Sequence, residues 1–277
     1  MRRRTLLLVL ALAALACETA PGPLAQSSSL PVSDSPAFEV ATIKPSRQNE
    51  NDWTLGTKGN HFYAVNTSLL DLISFAYSLH AKQVIGGPQW VRSQRFDVEG
   101  VPDFASHPRR EQLQTMLQKL LAQRFALVLR KEQRKLPVYI LLVSPHGAKL
   151  TASKAAPPGL HPGYGFPSLS PVVRMKVIYM TTPAFVSALQ RTVLDRPVLD
   201  KTGLAGRYDF TMKWASNASQ FIQFRGIGVN PPAVNDTANA APGLFTAIEE
   251  QLGLKLEAKR AMDEVMVIEY VEEPSAN

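Results

Sequence analysis

From residue 38 onward, apolar positions switch between a two-residue and a three-to-four-residue rhythm, the marks of strand and helix. Residues 38–44 and 61–66 read as strands. Ser68 follows as a helix N-cap, because a short hydroxyl can accept from a free amide of the first turn. Leu69, Leu72, Ile73 and Tyr77 then form an apolar stripe, which predicts a helix to about His80. Gly86, Gly87 and Pro88 break the chain. Residues 95–100 alternate like a half-buried strand. Pro108 is expected to open the next helix as its first residue, with Leu113, Met116, Leu117, Leu120 and Leu121 facing inward. Residues 126–129 and 138–143 read as a closing pair of strands, with 131–135 as a charged turn between them.

The same order returns in the second half. Residues 172–180 read as a strand. Thr182 is expected to cap a helix with Pro183 at its first position, running to about Leu194. Residues 207–214 form the next strand. Pro242 opens a helix through Gln251, and Gly253 stops it where a left-handed residue is cheapest. Residues 254–259 and 264–271 close the half. Arg95-Phe96-Asp97-Val98 matches Arg207-Tyr208-Asp209-Phe210, and Leu72, Ile73 and Ala76 are aligned with Ala184, Phe185 and Ala188. Phe125–Leu129 matches Leu252–Leu256, and Val138–Leu141 matches Val265–Ile268. The expectation is an α+β fold made of two tandem β-α-β-β-α-β-β units, with small mixed sheets and helices packed on them. The first unit spans 38–149, the connector 150–170 and the second unit 171–275, with a polar insertion at 215–241 that carries Phe221, Phe224 and Ile227.

The N-terminus adds a compartment. Arg2, Arg3 and Arg4 precede an apolar run from Leu6 to Ala16. That run is shorter than the roughly 20 residues a spanning helix needs, and residues 1–16 have the layout of a secretory signal. Cys17, the chain's one cysteine, directly follows Ala14-Leu15-Ala16. This resembles a bacterial lipoprotein signal, which implies that Cys17 is acylated, although Ala14 stands where that pattern prefers a larger aliphatic residue. The alternative is a plain secretory signal, since Ala14-Leu15-Ala16 also fits the small-residue cleavage rule. Residues 17–37 read as a flexible tether with an r.m.s. span of about 25 Å.

Composition excludes several classes. The hydrophobic share of 45% and charged share of 19% are those of an ordinary globular protein. A single cysteine allows no internal disulfide. The formal charge is +7, but three arginines and no acid leave with the signal, so the mature chain carries +4. Basicity therefore gives no reason to expect a nucleic-acid partner. His61, His80, His107, His146 and His161 lack metal-ligand spacing, and no nucleophile elbow occurs. No cofactor, metal or catalytic residue is expected.

The candidate binding residues lie in two stretches. Asp200-Lys201-Thr202-Gly203-Leu204-Ala205-Gly206-Arg207-Tyr208-Asp209 could bring backbone amides close to an anion, with Arg207 as a charged partner. It equally suits a tight turn in which Asp200 and Thr202 bond nearby amides and Gly203 takes positive φ. Trp90, in Gly86-Gly87-Pro88-Gln89-Trp90, either anchors that turn into the core or is presented for recognition. Two basic clusters, Arg109-Arg110 and Lys131/Arg134/Lys135, suit a solvated face or contact with anionic headgroups or cell-wall polymer.

Phe38-Glu39-Val40-Ala41-Thr42-Ile43-Lys44-Pro45, Gly87-Pro88-x-Trp90, Phe96-Asp97, the stretch from Asp200 to Phe210 and Gln251–Leu254 together resemble an exported soil-bacterial domain family of unknown function. The resemblance covers about residues 36–275. Members of that family are exported and some are fused to membrane metallopeptidases, but no activity is established for it. The element order is also similar to the short N-terminal domains of secretins and TonB-dependent receptors, which are periplasmic protein-contact modules. The expected role is a non-catalytic binding or sensory module of the envelope, in the periplasm or on the outer membrane, or else secreted. Its partner would be an envelope protein or a cell-wall glycan. The competing expectation is an envelope hydrolase with paired carboxylates between the two units.

Overall fold

β-Branched and aromatic residues alternate with polar ones over residues 38–45, 54–67 and 96–102, and they build the first sheet. The computed structural model describes residues 35–47, 53–155, 162–169, 172–217, 219–221 and 241–274. The signal, Cys17, most of the tether, His161, Phe224 and Ile227 lie outside the described residues. The first half runs β1 (Phe38–Pro45), β2 (Thr54–Lys58), β3 (His61–Thr67), α1 (Leu69–Ala76), β4 (Val84–Gly86), α2 (Trp90–Ser93), β5 (Phe96–Pro102), α3 (Arg110–Arg124) and β6 (Val128–Val143). The second runs β7 (Gly163–Ser168), β8 (Val172–Thr181), α4 (Thr182–Thr192), β9 (Val198–Asp200), β10 (Arg207–Ala215), α5 (Leu244–Leu252) and β11 (Leu254–Tyr270). The fold is mixed α+β, with helices packed on small sheets.

Three sheets result. The first is antiparallel in the order β1-β5-β3-β2, and the second is antiparallel in the order β10-β8-β7. β7 falls inside the stretch expected to be a connector. The third sheet, β4-β11-β6-β9, is mixed: β6 and β11 pair antiparallel along their lengths, and β4 and β9 add in parallel at opposite edges. Each short strand pairs with the other half's long strand. Val84 faces Met266 on β11, and Val198 faces Tyr139 on β6.

The long strands correct the expectation of two closing strands in each half. Residues 131–135 are no turn; they are the middle of β6 and face residues 262–266 of β11. Here the β6 side chains from Arg130 to Lys135 are exposed or half-exposed on both faces, although Val265 and Met266 opposite them are buried, so the charged residues sit on strand backbone without a core of their own to alternate against. Arg130 reaches Glu269 at 2.7 Å, Lys131 reaches Glu264 at 3.0 Å and Arg134 reaches Glu132 at 2.6 Å.

Helix termini follow local chemistry. Ser68 caps α1 and forms a reciprocal box with Asp71: the Asp71 N–H donates to Ser68 Oγ at 3.1 Å and the Ser68 N–H to Asp71 Oδ2 at 2.8 Å. Ser78, at φ 55°, ends this helix short of His80. α3 begins after Arg109, whose N–H bonds Gln112 Oε1 at 2.9 Å, so Pro108 precedes the cap instead of opening the helix. α4 is capped by Thr181, one residue earlier than expected, with the Ala184 N–H bonding its hydroxyl at 3.3 Å. Gly243 caps α5, because the carbonyl of Pro242 already accepts the Ala215 N–H at 3.0 Å. Gly253 ends α5 at φ 63°, and a Cβ there would strike the Gly147 carbonyl.

Two cores lie at the two ends of the third sheet. Phe62, Leu72, Ile73, Phe96, Met116, Leu117 and Phe125 pack with Met266 and Ile268 of β11. Val173, Met175, Leu189, Met212, Trp214 and Ile248 pack with Tyr139 and Leu141 of β6. Each core therefore includes the far end of the other half's long strand. Burying one such side chain contributes about 1.5–3 kcal/mol. Phe221, from the expected insertion, is buried and stacks on Trp214 with ring centroids 6.2 Å apart.

Candidate functional site

The stretch after β9 holds the candidate residues in a closely bonded turn. Asp200 Oδ1 accepts from the Thr202 N–H at 2.9 Å and from the Thr202 hydroxyl at 2.7 Å. Thr202 Oγ1 in turn accepts the Leu204 N–H at 3.2 Å, and the Leu204 carbonyl accepts the Thr182 hydroxyl at 3.0 Å. Gly203 sits at φ 69°. Gly206 lies against the Tyr208 ring, and a Cβ on it would come within 2.7 Å of the Tyr208 hydroxyl. The Lys201 N–H bonds the Leu141 carbonyl at 2.9 Å, which ties the turn to β6.

Arg207 and Asp209 both engage Tyr179, which precedes the α4 cap by two residues. The Tyr179 N–H donates to Asp209 Oδ1 at 2.6 Å. Arg207 donates to the Tyr179 carbonyl at 3.1 Å and lies over its ring at 4.9 Å. Tyr179 is held at φ 51°, a conformation costly for a side chain with a Cβ. In the first half the Asn66 N–H donates to Asp97 Oδ1 at 2.9 Å, and Asn66 has φ 54°. Both bonds sit at irregularities in strand pairing, β3 with β5 and β8 with β10.

Trp90 starts α2 and stacks on Phe125, with centroids 6.4 Å apart. It packs against the first core but keeps part of its surface in solvent. By contrast, Leu204 and Phe210 of the Asp200–Phe210 stretch pack against the second core.

Side chains that bridge the halves carried no signal of this role in the sequence. His80 is buried; its Nδ1 accepts the Lys82 N–H at 3.0 Å, so its Nε2 carries the proton and donates to the Leu194 carbonyl at 3.2 Å. Burial pushes its pKa down to about 4. Gln190 Nε2 donates to the Ser78 carbonyl at 3.0 Å, while its Oε1 accepts the Val198 N–H at 3.0 Å. Gln83 donates to Asp263 at 3.0 Å, and burial raises the pKa of that carboxyl. Asp195 accepts from the Tyr139 hydroxyl at 3.0 Å and from Arg196 Nη2 at 3.0 Å. Burial opposes its ionised form, but these bonds prevail and hold its pKa below the usual range.

One shallow depression of about 300 Å³ is lined by Ser144, His146, Lys149, Thr246, Glu249 and Glu250. Among the described residues no group of three or more His, Cys, Asp or Glu side chains is placed to hold a metal ion.

The architecture is that of a mixed α+β protein whose conspicuous polar motif is bonded chiefly to its own backbone. The chain belongs to the family described as a protein of unknown function (DUF3738), whose model matches residues 70–271. No curated protein matches the chain, and no solved structure does.

Proposed function

We propose that the chain is a non-catalytic binding or sensory module of the cell envelope, exported by residues 1–16 and anchored through a lipid on Cys17. The observation that carries this reading is how the polar groups of the distinctive turn are used. Asp200, Thr202 and Asp209 accept from backbone amides, and Thr202 and Arg207 donate to neighbouring acceptors, so this chemistry serves to shape a surface. That surface, with part of Trp90 elsewhere on the chain, would meet an envelope protein or a cell-wall glycan. Export and the lipid rest on the N-terminal sequence.

The module is built, on this reading, from one α+β block used twice. Support comes from matched details. Ser68 and Thr181 cap corresponding helices, Asp97 and Asp209 hold corresponding left-handed residues, and Ala126 at φ 47° corresponds to Gly253 at φ 63°. The caps align Leu72, Ile73 and Ala76 with Phe185, Val186 and Leu189, one residue beyond the alignment drawn from sequence.

The test expresses the full chain in a Gram-negative host. The membrane fraction should contain a species that begins at Cys17 and carries the mass of its acyl chains. Crosslinking in isolated envelopes should capture a saturable protein or glycan partner. An unmodified soluble species would remove the anchor. Turnover of a peptide, ester, glycoside or phosphoester by the purified chain would overturn the non-catalytic reading.

A further inference from the structure

The ring of Phe75, at the C-terminal end of α1, carries two guanidinium groups. Arg110 Cζ lies 5.2 Å from the ring centroid and Arg191 Cζ lies 5.5 Å from it. Arg110 opens α3 in the first half, and Arg191 stands in the last turn of α4 in the second. Among the described residues neither has a carboxylate within ion-pair distance, whereas Arg95, Arg130, Arg134 and Arg196 each do. Arg191 is partly buried and bonds only neutral oxygens: Nε donates to the Ser187 carbonyl at 3.3 Å and Nη2 to the Tyr164 hydroxyl at 3.3 Å. Burial, with the positive charge of Arg110 added, pushes its pKa down to about 10.

The Arg191 charge, partly desolvated and with the exposed Arg110 charge on the same ring, opposes folding unless something neutralises it. Both guanidiniums lie over Phe75, and Arg191 is held further by Ser187 and Tyr164, so its fork needs little further ordering to bind a planar or tetrahedral oxyanion. We propose that this seam is an oxyanion site, in which Arg110, Arg191 and the Tyr164 hydroxyl receive the carboxylate or phosphate group of a small ligand. Arg110 and Phe75 come from one half, and Arg191 and Tyr164 from the other, so the ligand joins the two. This inference goes beyond the envelope role, and it holds for an anchored or a secreted chain alike.

A ligand that binds only the folded state raises its stability with concentration. The test follows thermal unfolding of the full chain in inorganic phosphate, in acetate, and in chloride at matched ionic strength. Phosphate or acetate should raise Tm in a saturable way that chloride does not reproduce. A response to phosphate alone assigns a phosphoryl ligand, and a response to acetate alone assigns a carboxylate. Arg191→Gln and Arg110→Gln should each weaken the apparent affinity at least about tenfold, the loss of one charge-assisted pair. Should Arg191→Gln fail to fold, Arg110→Gln, at an exposed helix start, decides alone. In low-salt buffer without the anion, Arg110→Gln should raise Tm by relieving repulsion. Absence of an anion-specific shift, or an equal shift in Arg110→Gln, overturns the site. So does a lower Tm for Arg110→Gln without anion, since the Arg110 charge would then already be compensated within the chain.

Discussion

The Asp97 carboxylate accepts the backbone N–H of Asn66 at 2.9 Å and so fixes a left-handed residue on the strand beside its own. The bulge it secures directs the chain into the Ser68 cap and α1. Removing the acceptor strands a partly buried amide, which costs about 1–3 kcal/mol. Asp97→Ala should lower stability by that amount in urea unfolding, and Asp209→Ala, which frees the exposed Tyr179 N–H to water, should cost less. Asp97→Asn keeps an acceptor oxygen and should recover most of the loss.

Ala126 follows α3 at φ 47°, where a Cβ costs roughly 1 kcal/mol or more. Ala126→Gly should therefore stabilise the protein by about 1 kcal/mol, seen as a higher urea midpoint at unchanged slope. Gly253→Ala should do the opposite and cost more, because its Cβ meets the Gly147 carbonyl as well as an unfavourable φ.

His80 makes stability depend on pH. Its pKa is about 4 when folded, against 6.5 without burial. Between those values the unfolded chain binds more protons, so stability rises with pH. The contribution is complete above about pH 6.5 and is lost as pH falls toward 4, to a total of about 3 kcal/mol. Unfolding midpoints at neutral and mildly acid pH should fall further in the native chain than in His80→Gln. Equal losses in both would show that His80 does not titrate in this window.

Ser74 is buried in α1, and its hydroxyl has no hydrogen-bond partner among the described residues. Ser74→Ala removes that desolvated group and improves helix propensity. The expected gain is about 1 kcal/mol by calorimetry, and a loss of stability would reveal a partner for the hydroxyl.

Features set by nearest neighbours were legible in the sequence. Ser68 as a cap, the Gly253 stop and the Asp200–Thr202 turn needed only local donors and acceptors. Caps competing with a proline were misplaced, by two residues at Arg109 and by one at Thr181, because proline restricts φ but has neither an N–H to give Gln112 nor a hydroxyl to accept a first-turn amide. The long ribbon was hidden for another reason. Alternation reports a buried face, and the β6 side chains from Arg130 to Lys135 bury none, so strand looked like turn. β4 and β9, three residues each, are too short to carry a period. In the candidate site, Asp209 was visible but its partner Tyr179 was not, since only a bulge brings that amide within reach. Arg110 and Arg191 reach one ring, that of Phe75, solely through the packing of the elements that carry them.

Because Val84 rests on Met266 and Val198 on Tyr139, neither half can drift in sequence on its own. A bulkier residue on a short edge strand has to be accommodated by its opposite number across the molecule. Diverging lineages of this chain should accordingly accumulate compensating replacements between halves at these couples. Expressed without its counterpart, either half would expose the bare flank of its long strand and seek a second copy of itself.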